Sequence, residues 1–128
     1  MLYPDCRPFL DMLLGRNILI LMSTAELNTS SYIHTIGMRH YFAHIITGDK
    51  KTLATFISLK QKYPNRDYWA IGDRVDSEIM LGNTAGYKTI RIVRGKFHNA
   101  IPATLLEQPL FEIKTLTEAI TIIDSPLA

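Results

Sequence analysis

The sequence predicts one α/β domain built on a mostly parallel sheet covered by helices on both faces. Three observations predict it. Short apolar stretches alternate with helix-like segments along the whole chain, an order that implies right-handed crossovers between parallel strands. The strongest strand candidate, Ile18 to Met22, is an unbroken apolar run, as expected of a strand buried on both faces. The 128 residues suffice for one domain with a core and are too few for two ordinary ones, so a single domain over 1–128 is expected.

Each element has its own signal. Ile18-Leu19-Ile20-Leu21-Met22 is the first strand. His44-Ile45-Ile46-Thr47 ends at Gly48-Asp49, and Tyr68-Trp69-Ala70-Ile71 ends at Gly72-Asp73. Thr89-Ile90-Arg91-Ile92-Val93 alternates more and closes at Arg94-Gly95. Leu110-Phe111-Glu112-Ile113 is the weakest strand. Between them, Pro8 to Leu14 puts Phe9, Leu10, Leu13 and Leu14 on one side of a short helix, with Gly15 past its end. Thr24 to Ile36 is opened by Ser23-Thr24-Ala25-Glu26, a capping-box pattern. Lys51 to Lys60 presents Leu53, Phe56, Ile57 and Leu59 and stops before Pro64. Asp76 to Thr84 is bounded behind by Ala85-Gly86. Thr115-Leu116-Thr117-Glu118 is a second capping box, for a helix running to about Ile123.

Composition narrows the function classes. Apolar residues make up 47% and charged residues 20%, a globular profile, and the net charge is only +2. The basic residues are scattered and no stripe of them alternates with aromatics, so nucleic acid is not expected as a partner. The single cysteine, Cys6, excludes an internal disulfide and suits a reducing compartment. It has no base nearby in sequence, and a buried, inert thiol is expected. The N-terminus lacks a basic-then-apolar layout, and no apolar run could span a bilayer, so no membrane association and a cytoplasmic location are expected. His34, His40, His44 and His98 show no metal-ligand spacing, which favours structural roles.

In open α/β sheets, ligands bind beyond the carboxyl ends of the strands. This sequence puts Ser23 and Thr24 after the first strand, and Gly48, Asp49, Lys50 and Lys51 after the second. Gly72, Asp73 and Arg74, then Asp76 and Glu78, follow the third. A hydroxyl and an ammonium can hold a phosphate, and carboxylates can hold the magnesium that neutralises it. Each residue also has a plainer use. Ser23 could cap the next helix with Glu26, and Lys50 and Lys51 could be a solvated pair. Asp76 and Glu78 suit the first turn of a helix, where negative charge is favoured by roughly 0.3–1 kcal/mol.

Taken together and in order, these residues resemble the haloacid-dehalogenase (HAD) superfamily of hydrolases. Leu2-Tyr3-Pro4 with Phe9-Leu10 is similar to the segment that re-enters the core in capped members. Ile18 to Ser23 resembles the second family motif, an apolar strand ending in a hydroxyl residue. Ile45-Ile46-Thr47-Gly48-Asp49 resembles the approach to the third, with Lys50 where its lysine is expected and Phe56 where an aromatic follows. Ile71-Gly72-Asp73-Arg74-Val75-Asp76-Ser77-Glu78 resembles the fourth, and Ala85-Gly86 continues as the family does. The resemblance implies a Rossmann-like three-layer α/β/α sandwich and a magnesium-dependent phosphatase acting on a small phosphorylated molecule. Ser23, Thr24 and Lys50 would bind phosphate, Asp73 would bind magnesium, and Glu78 or Asp76 would be the second acid.

The family's first motif is not found. Members begin with an apolar strand ending in Asp-x-Asp, whose first Asp is the nucleophile and whose second is the general acid and base. Asp5-Cys6-Arg7 lacks a preceding strand and a second Asp, and Ile122-Ile123-Asp124-Ser125-Pro126 has Pro at the second position. The chain is therefore expected to be inactive or nearly so, with magnesium bound weakly or not at all. The alternative is a non-catalytic binding or scaffolding module derived from the same fold. In the family arrangement the nucleophile strand lies between the strands at Ile18–Met22 and Tyr68–Ile71. Its absence would leave backbone groups unsatisfied at about 1–3 kcal/mol each if buried, against a typical stability of roughly 5–15 kcal/mol. Direct pairing of those two strands, bringing Ser23 near Asp73, is the expectation; a homodimer covering the exposed sheet edges is the alternative.

Overall fold

The computed structural model describes residues 3–23, 29–48 and 51–125, which fall into two compact units, Met1–Thr52 and Leu53–Ala128. In the first unit, α1 (Cys6–Leu13) buries Phe9, Leu10 and Leu13 on one stripe. β1 (Ile20–Ser23) runs parallel to β2 (His44–Thr47), in a register from Ile20 opposite His44 to Ser23 opposite Thr47. A parallel pair needs a long crossover, and α2 (Thr29–Thr35) and a 3₁₀ turn at Arg39–Tyr41 lie within it. Ile33, Met38, Tyr41 and Phe42 join the α1 residues in the core. Two polar ties hold α1 to this crossover: Arg7 donates to the Ile36 carbonyl, and the Tyr41 hydroxyl donates to Asp11. Cys6 is half-buried, not buried as expected.

The second unit carries a three-stranded parallel sheet in the order β3-β4-β5, formed by Trp69–Gly72, Lys88–Ile92 and Phe111–Ile113. The central strand buries Thr89, Ile90, Arg91 and Ile92 in succession, the signature of a strand covered on both faces. α3 (Leu53–Lys62) packs Phe56 against Tyr87, whose ring also meets Tyr68. Burial pushes the Tyr87 phenol up to about 12, and its hydroxyl donates to the Phe56 carbonyl at 2.7 Å. α4 (Met80–Ala85) ends at Gly86, whose φ of 84° is left-handed backbone that suits glycine. α5 (Leu116–Ile123) begins with the expected capping box: the Glu118 carboxylate accepts from the Thr115 and Lys114 amides at 2.8 and 2.9 Å.

The mixed α/β fold with parallel strands is as the sequence implied, and two expectations need correction. The helix expected from Asp76 to Thr84 opens instead as a π-helical turn, Val75–Ile79, and becomes α-helical only from Met80. The ladder expected between Ile18–Met22 and Tyr68–Ile71 is not formed by the described residues, in which β1 pairs with β2, and β3 with β4. That ladder was expected on the premise of fully buried strand edges. All four residues of β1 and three of the four in β3 are only half-buried. Residues that keep part of their surface exposed do not carry the full penalty of buried backbone groups on which that expectation rested.

Candidate functional site

β3 delivers the acidic group. Its last residue is Gly72, and Asp73 and Arg74 follow before the π-helical turn. In that turn the Ile79 amide reaches the Arg74 carbonyl, five residues back, at 3.4 Å. The wide turn brings residues 78 and 79 back against the end of β3. Glu78 folds over Gly72 so closely that a Cβ at position 72 would overlap its Cγ, Cδ and Oε1. Glycine leaves that space to the acid, and a side chain at 72 would displace the Glu78 arm. Asp73 and Glu78 are half-buried, whereas Asp76 is exposed and faces another partner. Arg74 grips Asp76 with both arms of its fork, Nε to Oδ1 at 3.0 Å and Nη2 to Oδ2 at 3.1 Å. The hydrogen bond to Asp76 holds the guanidinium above its usual range, and the charges of Asp76, Glu78 and Asp73 add to it.

The far side of Arg74 is covered by an aromatic. Its guanidinium carbon stands 4.8 Å from the centre of the Phe97 ring, a cation–π distance. Phe97 belongs to a 3₁₀ turn, Gly95–Phe97, that follows β4. The loop after it is tied down by Arg91, a buried β4 side chain whose guanidinium donates to the Ala100 carbonyl at 2.6 Å and to Glu112 at 3.1 Å. Neither Phe97 nor Arg91 was read as part of a site from the sequence. The available signal was a charged residue between Ile90 and Ile92 in the strand.

The other sequence candidates are placed unevenly. Ser23 closes β1 in the first unit, opposite Thr47, and Thr24 and Lys50 lie outside the described residues. Among the described residues, no group of three or more His, Cys, Asp and Glu side chains is arranged to hold a metal ion. Two carboxylates at the β3 end still meet what magnesium asks of a protein. It commonly takes one or two carboxylates and completes its octahedron with water and phosphate oxygens. Asp73 and Glu78 offer hard oxygen donors of that kind, so the residues present fit the ion.

The HAD-hydrolase-like family model matches residues 47–119, more than half of the chain and the whole of the β3 acidic edge. The chain belongs to the HAD-hydrolase-like family. A curated member with a similar sequence is the glyceraldehyde 3-phosphate phosphatase of Methanopyrus kandleri, 27% identical over 130 residues that cover 94% of this chain and 56% of the relative. The chain thus spans about half the length of the curated relative it matches. Two solved structures show the same HAD fold. A predicted phosphoglycolate phosphatase from Haemophilus somnus superposes with a TM-score of 0.82 at 19% identity, covering 97% of this chain and 58% of that one. The HAD-hydrolase YfnB of Bacillus subtilis, bound to magnesium, superposes at 0.78 and 18% identity, covering 98% and 57%. Among the described residues of this HAD-like chain, no helix is long and apolar enough to cross a membrane.

Proposed function

We propose that residues 1–128 form one HAD-like core that binds a phosphomonoester and magnesium but does not hydrolyse the ester unaided. The observation that carries this reading is Glu78 folded over Gly72 beside Asp73, within the stretch matched by the family model. Asp73 and Glu78 would hold magnesium, which when bound neutralises phosphoryl charge. Ser23, Thr24 and Lys50 would bind the phosphoryl oxygens with hydroxyls and an ammonium. Asp76, taken up by Arg74, would serve as the counter-charge of that guanidinium. The names of the similar phosphatases point to a small phosphorylated metabolite as the ligand class.

The proposed lack of unaided hydrolysis rests on the sequence. No Asp-x-Asp occurs in the 128 residues, so this chain offers no paired carboxylates for attack on phosphorus and for proton transfer. Loss of a nucleophile removes most of an enzyme's rate enhancement. Turnover would require that pair on another polypeptide segment. A purely binding module is the second reading, and the same lack of Asp-x-Asp favours it.

The test is a release assay with p-nitrophenyl phosphate, with and without magnesium, paired with magnesium titration of the whole chain by calorimetry. We expect no release above the Asp73→Ala control, and weak magnesium binding lost in Asp73→Asn and Glu78→Gln. Magnesium-dependent release abolished by Asp73→Ala would overturn the claim of inactivity. Unchanged magnesium affinity in both acid variants would overturn the metal assignment.

A further inference from the structure

Three carboxylates and one guanidinium crowd the carboxyl end of β3, and the guanidinium is fixed from two sides. Arg74 binds both oxygens of Asp76 and lies against the Phe97 ring. A bidentate fork leaves a carboxylate little capacity to ligate a cation as well, because both oxygens already accept charge-assisted hydrogen bonds. The ring position is also set by the fold. Arg91, buried in β4, donates to Ala100 just beyond the turn that carries Phe97. A chain of contacts therefore runs from the central strand through the loop to Arg74 and ends on Asp76.

We infer that Arg74 is a positioning residue that withholds Asp76 from the cation, leaving a two-carboxylate site whose affinity it also lowers by its own charge. The inference rests on the magnesium site proposed at Asp73 and Glu78. It assigns to Arg74 and Phe97 the setting of metal affinity. With two carboxylates and a nearby positive charge, cation binding leans on oxygens brought by a phosphorylated ligand. With Arg74 gone, Asp76 is released towards Asp73 and Glu78, and the acids alone become a better site. Arg74→Lys keeps the charge and loses the fork, so it releases Asp76 without removing the repulsion.

The experiment is calorimetric titration of the whole chain with magnesium at two ionic strengths. The variants are Arg74→Gln, Arg74→Lys, Phe97→Ala, Asp76→Asn, Arg74→Gln with Asp76→Asn, and Arg74→Gln with Asp73→Asn. Circular dichroism confirms folding of each. We expect Arg74→Gln to tighten binding by about 3- to 10-fold at low salt and less at high salt, as for a neighbouring charge partly screened by water. Arg74→Lys and Phe97→Ala should tighten it less. Asp76→Asn should cost more when combined with Arg74→Gln than alongside the native arginine, since only without the guanidinium fork can Asp76 help to hold the ion. Equal cost in both backgrounds, or no tightening in Arg74→Gln, overturns the inference even when wild-type binding is abolished by Asp73→Asn and the metal site stands. If the wild type binds nothing and Arg74→Gln binds through Asp73, both ideas gain. If neither binds, both fall.

Discussion

Asp76 and Glu78 look interchangeable in the sequence, two acids two residues apart at the start of a helix. In the fold they differ completely. Glu78 folds inward over Gly72, and Asp76 stays exposed in the grip of Arg74. The glycine makes room for the difference, since any side chain at 72 would occupy the volume of the Glu78 carboxylate arm. Gly72→Ala is therefore expected to displace the flexible Glu78 side chain at a cost in stability of no more than about 1 kcal/mol, the low end for overpacking. It should also weaken magnesium binding, by driving Glu78 off the strand end. Thermal unfolding and a magnesium titration of this variant check both; unchanged magnesium binding would mean that the inward position of Glu78 has no part in holding the ion. Arg74 was legible only as part of the edge after the third strand, and Phe97 not at all, because an arginine after a strand and a phenylalanine in a loop reveal no pairing until they touch.

Among the elements, the strands were legible within a residue or two, since an apolar run or a Gly-Asp stop marks each. β2 is found at the residues expected, His44–Thr47. The capping boxes fared unevenly. Thr115–Glu118 opens α5 as read, whereas Ser23–Glu26 lies largely outside the described residues. The α5 box makes a pH prediction. Backbone amides of Thr115 and then Lys114 donate to Glu118 and hold its carboxyl below the ordinary carboxylate range. A lowered folded value means that the stabilisation is present above the ordinary carboxylate pKa and is lost as pH falls through the folded value. Wild type should exceed Glu118→Gln in unfolding midpoint at neutral pH, and the difference should shrink below about pH 4. A difference that persists undiminished well below that pH would show that the charge of Glu118 has no part in the cap. The π-helical turn was not legible. Its sequence, Val75 to Ile79, reads equally well as an α-helical start, and the turn is closed by the bond from the Ile79 amide to the Arg74 carbonyl.

Across the whole molecule, the two units differ in how they are covered. No residue of β1 or β2 is fully buried, whereas four of the five in β4 are. Two-stranded sheets are marginal, and three strands with packed faces are needed for independent stability. Amide hydrogen exchange should follow this order, with Ile90 to Ile92 among the slowest amides and β1 and β2 opening by smaller fluctuations. Equal protection of β1 and β4 would contradict that ranking. The failure of the expected β1–β3 ladder belongs here too. It was expected from the cost of buried unsatisfied backbone, and a sequence does not say how deeply each strand residue is buried.

By itself, then, the sequence determined the class of fold, the order of its strands along the chain, the family, and the lack of an Asp-x-Asp pair. Each of these is written in local pattern: periodicity, strand-ending glycines and short motifs depend on neighbours a few residues apart. The tertiary structure alone decided which of two acids turns inward, that an arginine occupies the other, and that the turn after β4 supplies the ring beneath that arginine. Those outcomes depend on contacts between residues distant in sequence, such as Arg74 with Phe97 and Arg91 with Glu112. Packing and charge settle them only once the strands have been laid side by side.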